Sequence, residues 1–342
     1  MSRQIGLVLG AGGFLGAAWM LGTLSALQEA TDWDARDADL VVGTSAGSVL
    51  GALLRAGHSV EDLYRAQQDD SNPESIGRMP AEPIPALAFD LGDEPGYPAL
   101  PHLGLGSLPL VLRAVREPKR LTPAAVCAGI LPRGRRPLTR IGGIVERAHL
   151  GDRWPSGTWI VAMDYQTGSR VSFGSADGPR TTIASAVMAS CAVPAWYSPV
   201  TIGDVPYIDG AVCSPCNADL LVGQGLDEVY VLAPMASLRP DRPTSLVARM
   251  ERLYRRSATK RVMREVAKLR ASGTSVTVLA PNRGELEAMG ANMMDSARRL
   301  DVLRASKEDA IRRFATRKAR RLASLACPRV ASSLPPGLSS AT

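Results

Sequence analysis

A short apolar stretch, Asp39-Leu40-Val41-Val42, runs straight into Gly43-Thr44-Ser45-Ala46-Gly47, and Ser48-Val49-Leu50-Gly51-Ala52-Leu53-Leu54 follows. The first stretch reads as a buried strand and the last as a helix. Joining them within five residues demands a sharp turn, and the small residues around Ser45, with Gly43 and Gly47 outermost, give the backbone room to make it. Ser45 then sits at a helix N-terminus with Oγ exposed, where the helix dipole favours negative charge. This is the setting of a nucleophile elbow. An ordinary strand-to-helix turn with Ser45 as its N-cap reads the same way.

The start of the chain carries a second signal. Ile5-Gly6-Leu7-Val8-Leu9 predicts a strand, Gly10-Ala11-Gly12-Gly13-Phe14-Leu15-Gly16 a glycine-rich loop, and residues 17–29 a helix. Such a loop aims several backbone N–H groups one way, and so holds either a phosphate or the oxyanion of a tetrahedral intermediate. A G-x-G-x-x-G fingerprint would need glycine where Leu15 stands. The G-x-G-x-x-x-G spacing present, with Asp32 and Asp34 near the ribose-binding distance, keeps a dinucleotide-binding oxidoreductase using Gly10–Gly16 as the alternative. That alternative leaves the elbow unexplained.

A serine nucleophile needs a base. The three histidines are His58, His102 and His149, and none follows residue 149, so a triad with a late histidine is excluded. His58 is expected as a dipole partner at the end of the elbow helix, and His102 and His149 as solvated loop residues. Among the carboxylates, Asp209 is best placed. It ends the apolar run Val205-Pro206-Tyr207-Ile208 and precedes Gly210-Ala211, at a strand tip. An Asp-Gly pair also suits a plain turn.

Together these segments resemble the patatin-like phospholipases over roughly residues 4–235. That family joins a glycine-rich oxyanion loop, a G-x-S-x-G nucleophile and an Asp-Gly-Gly/Ala motif into a Ser–Asp dyad. The matching residues are Gly12 and Gly13 with Gly10, Ala11 and Gly16 as support, then Ser45, then Asp209-Gly210-Ala211. Ala189-Ser190-Cys191-Ala192-Val193-Pro194, followed by Tyr197 and Pro199, is similar to the family's A-S-x-A-x-P segment. Two positions depart from it. Leu15 stands where relatives carry Arg or Lys, which removes a charge expected to meet an anionic head group. Ser214-Pro215 stands where relatives show Asn-Pro. The resemblance implies hydrolysis of lipid acyl esters without metal or cofactor, or a catalytically idle lipid-binding module on the same fold.

Residues 4–28 carry no charge, the mark of a membrane span, a signal peptide or a buried strand–loop–helix. Six glycines interrupt the run and favour the last. The cysteines at 127, 191, 213, 216 and 327 are odd in number and lack framework spacing, which favours a reducing, cytoplasmic setting. Cys213-Ser214-Pro215-Cys216 has no second pair at metal-binding distance and reads as a turn. Residues 71–137 are irregular and proline-rich. The apolar run 103–115 within them fits a lid over an acyl site or a buried helix.

Positive charge is concentrated late. Residues 246–270 hold nine basic and two acidic side chains, and residues 298–321 ten and three. The whole chain is only +7. Met250, Leu253, Ala258, Val262, Val266 and Leu269 form a helical stripe, so the first segment is a basic amphipathic helix. It faces solvent or an anionic membrane, with Arg255, Arg256, Lys260 and Arg261 as the lipid-facing cations. No aromatic interleaving or zinc spacing supports nucleic acid. The expected architecture is α/β: a mainly parallel central sheet flanked by helices, patatin-like, with C-terminal basic helices. Residues 1–235 form the catalytic domain, 236–330 a helical extension packed on or completing it, and 331–342 a disordered tail. Oligomeric state leaves no trace in the sequence.

Overall fold

The computed structural model describes residues 3–68, 104–117, 120–149, 153–238 and 246–326. His102, residues 71–103 of the irregular stretch, Cys327 and the tail 331–342 lie outside them. Among the described residues eight strands build one sheet: β1 (Ile5–Leu9), β2 (Leu40–Thr44), β3 (Thr158–Asp164), β4 (Arg170–Phe173), β5 (Val200–Ile202), β6 (Val205–Asp209), β7 (Glu228–Leu232) and β8 (Ser275–Leu279). The helices are α1 (Gly13–Thr31), α2 (Ala46–Arg55), α3 (Val60–Gln68), α4 (Leu108–Arg116), α5 (Pro123–Ile130), α6 (Thr139–Ala148), α7 (Ile183–Cys191), α8 (Leu246–Ala271), α9 (Arg283–Met289) and α10 (Arg299–Ala326). The sheet order is β5-β6-β3-β2-β1-β7-β8, with β4 also on β3. Pairing is parallel from β3 through β2, β1 and β7 to β8, and antiparallel for β4, β5 and β6. The fold is α/β with its central sheet flanked by helices.

Strand alternation divides the core in two. Leu7, Leu9, Val41, Ile160, Tyr230 and Leu232 face one side, against α1, α2, α6 and α7. Val8, Val42, Val161, Val229 and Val231 face the other, against Val262, Val266 and Leu269 of α8. Strands buried on both faces explain the near-continuous apolar runs in the sequence.

The uncharged run is β1, its loop and α1. Every residue from Phe14 to Leu27 is buried, as a helix apolar on all sides requires. One side of α1 meets the sheet and the other meets α10. At Gly22 a Cβ would lie 2.1 Å from Ser306 Oγ and 2.4 Å from the Leu303 carbonyl, so only glycine admits α10 this closely. Among the described residues no helix is long and apolar enough to cross a membrane. A buried carboxylate locks the same layer. Glu285 accepts from Trp19 Nε1 at 2.8 Å and from Arg313 Nη2 through both oxygens at 2.7 Å, while Arg313 Nη1 donates to the Ala280 carbonyl at 2.9 Å. Burial pushes the Glu285 carboxyl up, and Arg313 pulls it back.

The expected stripe on α8 needs correction. Leu253 is 62% exposed, whereas Arg255 is fully buried. Arg255 binds Glu251 and the Pro234 carbonyl, and its Nη2 lies 3.3 Å from the Met293 sulfur. A buried cation survives only with such partners, so Arg255 is structural and not lipid-facing. The outer face of α8 carries Arg256, Lys260, Arg264 and Lys268.

The apolar run around α4 is not a fully buried helix. Leu110 packs into a small core with Ala125 and Ala128 of α5, while Leu108, Leu112 and Val115 are exposed.

Candidate active site

The register of β3 brings the two key segments together. β2 pairs with residues 158–161 and puts Thr44 opposite Val161. β6 takes over at residues 162–164 and puts Asp209 opposite Ala162. Because β4 runs along residues 160–163, overlapping both, β2 and β6 must share the other edge of β3. The end of β6 therefore abuts the end of β2, one register step from the residue that precedes Ser45.

Ser45 has φ 53° and ψ −123°, a conformation L-residues rarely adopt and one that costs about 1–3 kcal/mol. Its surroundings hold it there. The Ser45 N–H donates to Ser190 Oγ at 2.9 Å, and Ser190 Oγ donates to the Val161 carbonyl at 2.6 Å. Ser48 Oγ donates to the Ser45 carbonyl at 2.6 Å. Gly47 crosses the end of β1 so closely that a Cβ would stand 2.0 Å from the Leu9 carbonyl oxygen. The Ser45 side chain makes no capping bond to α2, so the plain N-cap role does not hold and its hydroxyl is left for the cavity.

Asp209 is 3% exposed. Its Oδ1 accepts the Ala211 N–H at 2.8 Å, the turn bond expected of an Asp-Gly pair, and the carboxylate lines the same cavity as Ser45. Burial pushes its pKa up to about 7, against the pull of the Ala211 amide and the neighbouring Ser45 hydroxyl. Gly210 presses its Cα against the Val161 carbonyl, which keeps the turn tight on β3.

In the glycine-rich loop, the Gly10 N–H goes to the Leu232 carbonyl at 3.0 Å and that of Ala11 to Pro215 at 2.8 Å. The Leu15 N–H goes to Met293 at 3.1 Å and that of Gly16 back to Gly12 at 2.8 Å. Among the described residues nothing accepts from the amides of Gly12 and Gly13. The helix begins at Gly13, so the loop is shorter than expected. Leu15 is wholly buried in the core, and a charge at that position is not merely absent but pointed away from the site.

A cavity of ≈ 330 Å³ joins these groups. Gly12, Gly13, Ser45, Cys191 and Asp209 line it, with Val49, Ile141, Val193, Met235, Tyr254, Met293 and Met294 as its apolar walls. Asp209 is the only carboxylate among these lining residues, and none is a histidine or a basic residue. His58 and His149 are both absent from it. His149 is not solvated as expected: its Nε2–H donates to the Ala52 carbonyl at 2.7 Å, and burial lowers the pKa of both imidazoles.

Some contributors carry no sequence motif. Asn217 Nδ2 donates to Thr44 Oγ1 at 3.0 Å and to the Ser214 carbonyl at 2.8 Å, tying the turn after Asp209 to the strand before Ser45. Ser214 does not make that link; its Oγ accepts from Asn217 N at 3.3 Å. Tyr254, Met293 and Met294 come from beyond residue 235, where helical patterning gives no hint of a pocket. Cys213 and Cys216 are free thiols raised by burial, Cys213 to about 11, and no metal-ligating cluster occurs among the described residues. Asp34 is taken by Arg36 at 2.6 Å and caps a short turn, which removes it as a ribose ligand.

No curated protein matches the sequence. Among solved structures, VipD from Legionella pneumophila is 11% identical with a TM-score of 0.39, the match covering 92% of this chain and 67% of that one. The type III effector protein ExoU is 14% identical with a TM-score of 0.29, covering 97% and 67%. The family model for patatin-like phospholipase matches residues 7–222, a span that takes in the glycine-rich loop, Ser45 and Asp209. The chain belongs to the patatin-like phospholipase family.

Proposed function

We propose that the protein is a serine hydrolase of lipid acyl esters that works through a Ser45–Asp209 dyad. The observation that carries this is that Ser45 and a carboxylate raised by burial to about 7 line one apolar cavity, at the abutting ends of β2 and β6. Asp209 takes the proton from Ser45 Oγ as Oγ attacks the ester carbonyl. The carbonyl oxygen becomes an oxyanion, and the amides of Gly12 and Gly13 receive it. Collapse expels the alcohol, which takes the proton from Asp209. Water, deprotonated by the same carboxylate, then cleaves the acyl-enzyme and frees Ser45. The methionine and valine walls suit an acyl chain.

Fluorophosphonate labelling with peptide mapping tests the reading. The label should fall on Ser45 and be lost in Ser45→Ala and Asp209→Asn. A folded protein that hydrolyses no acyl ester and takes no label would be a lipid-binding module instead.

Contact with a membrane surface is part of this proposal. Two faces compete for it: the cationic outer face of α8, and the exposed apolar side chains Leu108, Leu112 and Val115 of α4. We favour α4, because burying apolar area holds a protein at an interface more firmly than surface charge alone.

A further inference from the structure

A second cavity, ≈ 400 Å³, lies beside the first and has the opposite character. Four guanidiniums line it, those of Arg113, Arg120, Arg170 and Arg261, together with Thr122 and Cys213. No carboxylate is among its described lining residues. Their acidic partners are not among the lining residues. Arg113 and Arg120 share Glu117 at 3.8 and 3.2 Å, Arg170 meets Asp219 at 2.5 Å, and Arg261 meets Glu265 at 3.3 Å. Lys268 also reaches Asp219, at 3.3 Å. Five cations therefore share three carboxylates. Each guanidinium carries five N–H donors, and these pairings leave most of them unspent. The field reaches the cavity: burial raises the Cys213 thiol, and Arg170 and Arg261 are what hold it down.

The cavity adjoins the proposed acyl site. Val212 and Ala124 line the first cavity, Cys213 and Thr122 the second. Thr122 Oγ1 donates to the Val212 carbonyl at 2.9 Å and closes the seam between them. The wall is thus the turn that carries Asp209.

We propose that this second cavity binds a phosphate group. Planar guanidiniums match phosphate oxygens by paired N–H···O bonds, which a single ammonium cannot do, and four arginines line this one cavity. The site would also supply the cationic recognition that buried Leu15 cannot. The phosphate belongs either to the head group of the hydrolysed lipid, which rests on the hydrolase reading above, or to a free anion.

The test uses full-length Ser45→Ala protein, titrated calorimetrically with inorganic phosphate and with glycerol 3-phosphate. Saturable binding is expected, weakened at least tenfold by Arg113→Gln with Arg120→Gln and unmoved by the distant Arg65→Gln. Arg120→Gln alone, at a largely exposed position, serves if the double variant does not fold. Absence of saturable binding, or equal binding by the parent and the arginine variants, would overturn the proposal. Kinetics in the Ser45 protein then identify the source. For a head group, the kcat/KM ratio of phosphatidylglycerol over diacylglycerol falls at least tenfold in the double variant, through KM, and inorganic phosphate competes. For a free anion, binding persists and that ratio stays put. If the hydrolase reading alone fails, ester hydrolysis is absent while phosphate binding remains.

Discussion

The chemistry of this site turns on one carboxyl group. Asp209 is held in an apolar pocket with the Ala211 amide on its Oδ1, and its pKa of about 7 sets when it can take a proton. Below that pH it is neutral and cannot act as a base. Ester hydrolysis should therefore climb with a slope of one through about pH 7 and then level off, as read from kcat/KM on a neutral soluble ester. A flat profile between pH 5 and 9 would remove Asp209 as the base. An inflection near neutral pH is therefore no mark of a catalytic histidine here. The same burial has a stability cost. The unfolded carboxyl ionises near its ordinary value and the folded one near 7, so the native state loses stability as pH rises between the two and regains none above. A shift of about three pKa units corresponds to about 4 kcal/mol as an upper figure. Asp209→Asn should thus melt higher than the parent at pH 8, by a margin that shrinks towards zero near pH 4, while losing activity. A lower melting temperature at pH 8 would show that the ionised form is better solvated than its surroundings imply.

At the scale of elements, the glycine-rich loop is anchored from a distance. Its Leu15 amide rests on the Met293 carbonyl, and residue 293 sits between α9 and α10. Those helices are tied to α1 through Glu285, Trp19 and Arg313. Removing Arg313 would strand a buried carboxylate. Arg313→Leu should cost about 3 kcal/mol, and the added change Glu285→Gln should restore most of it. Denaturant unfolding of the two variants checks this; a double variant no more stable than the single would show that Arg313 acts by packing and not by charge.

For the whole molecule, the exposed aliphatic side chains of α4 and the cationic outer face of α8 are the two candidate contacts with lipid. If α4 meets lipid, Leu112→Ser with Val115→Ser should cut vesicle binding several-fold, since each buried aliphatic side chain contributes about 1.5–3 kcal/mol at most. Arg256→Glu with Lys260→Glu should then have a smaller effect, confined to anionic vesicles at low salt. Flotation with neutral and anionic vesicles separates the two. Loss only in the α8 variant would assign the contact to the basic helix.

Much of this was legible in the residues themselves. Strand, small-residue turn and helix around Ser45 are local facts, because a sharp turn needs small side chains next to it. The absence of late histidine was equally plain, and it left the carboxylates as candidate bases. Apolar runs without charge announced buried strands and a buried first helix. Other features depend on residues distant in sequence. The edge of β3 shared by β2 and β6, which sets Asp209 beside Ser45, is a matter of register between strands. Ser190 and Asn217 matter only through the groups they meet. Arg255 looked like a surface cation until the carbonyl of Pro234 and the sulfur of Met293 were placed around it. The arginines at 113, 120, 170 and 261 are scattered along the chain, and only the folded backbone gathers them. Local sequence governs turns and periodicity, since those depend on neighbours. A site assembled across a sheet depends on which strands pair, and that is settled by burial of the whole core.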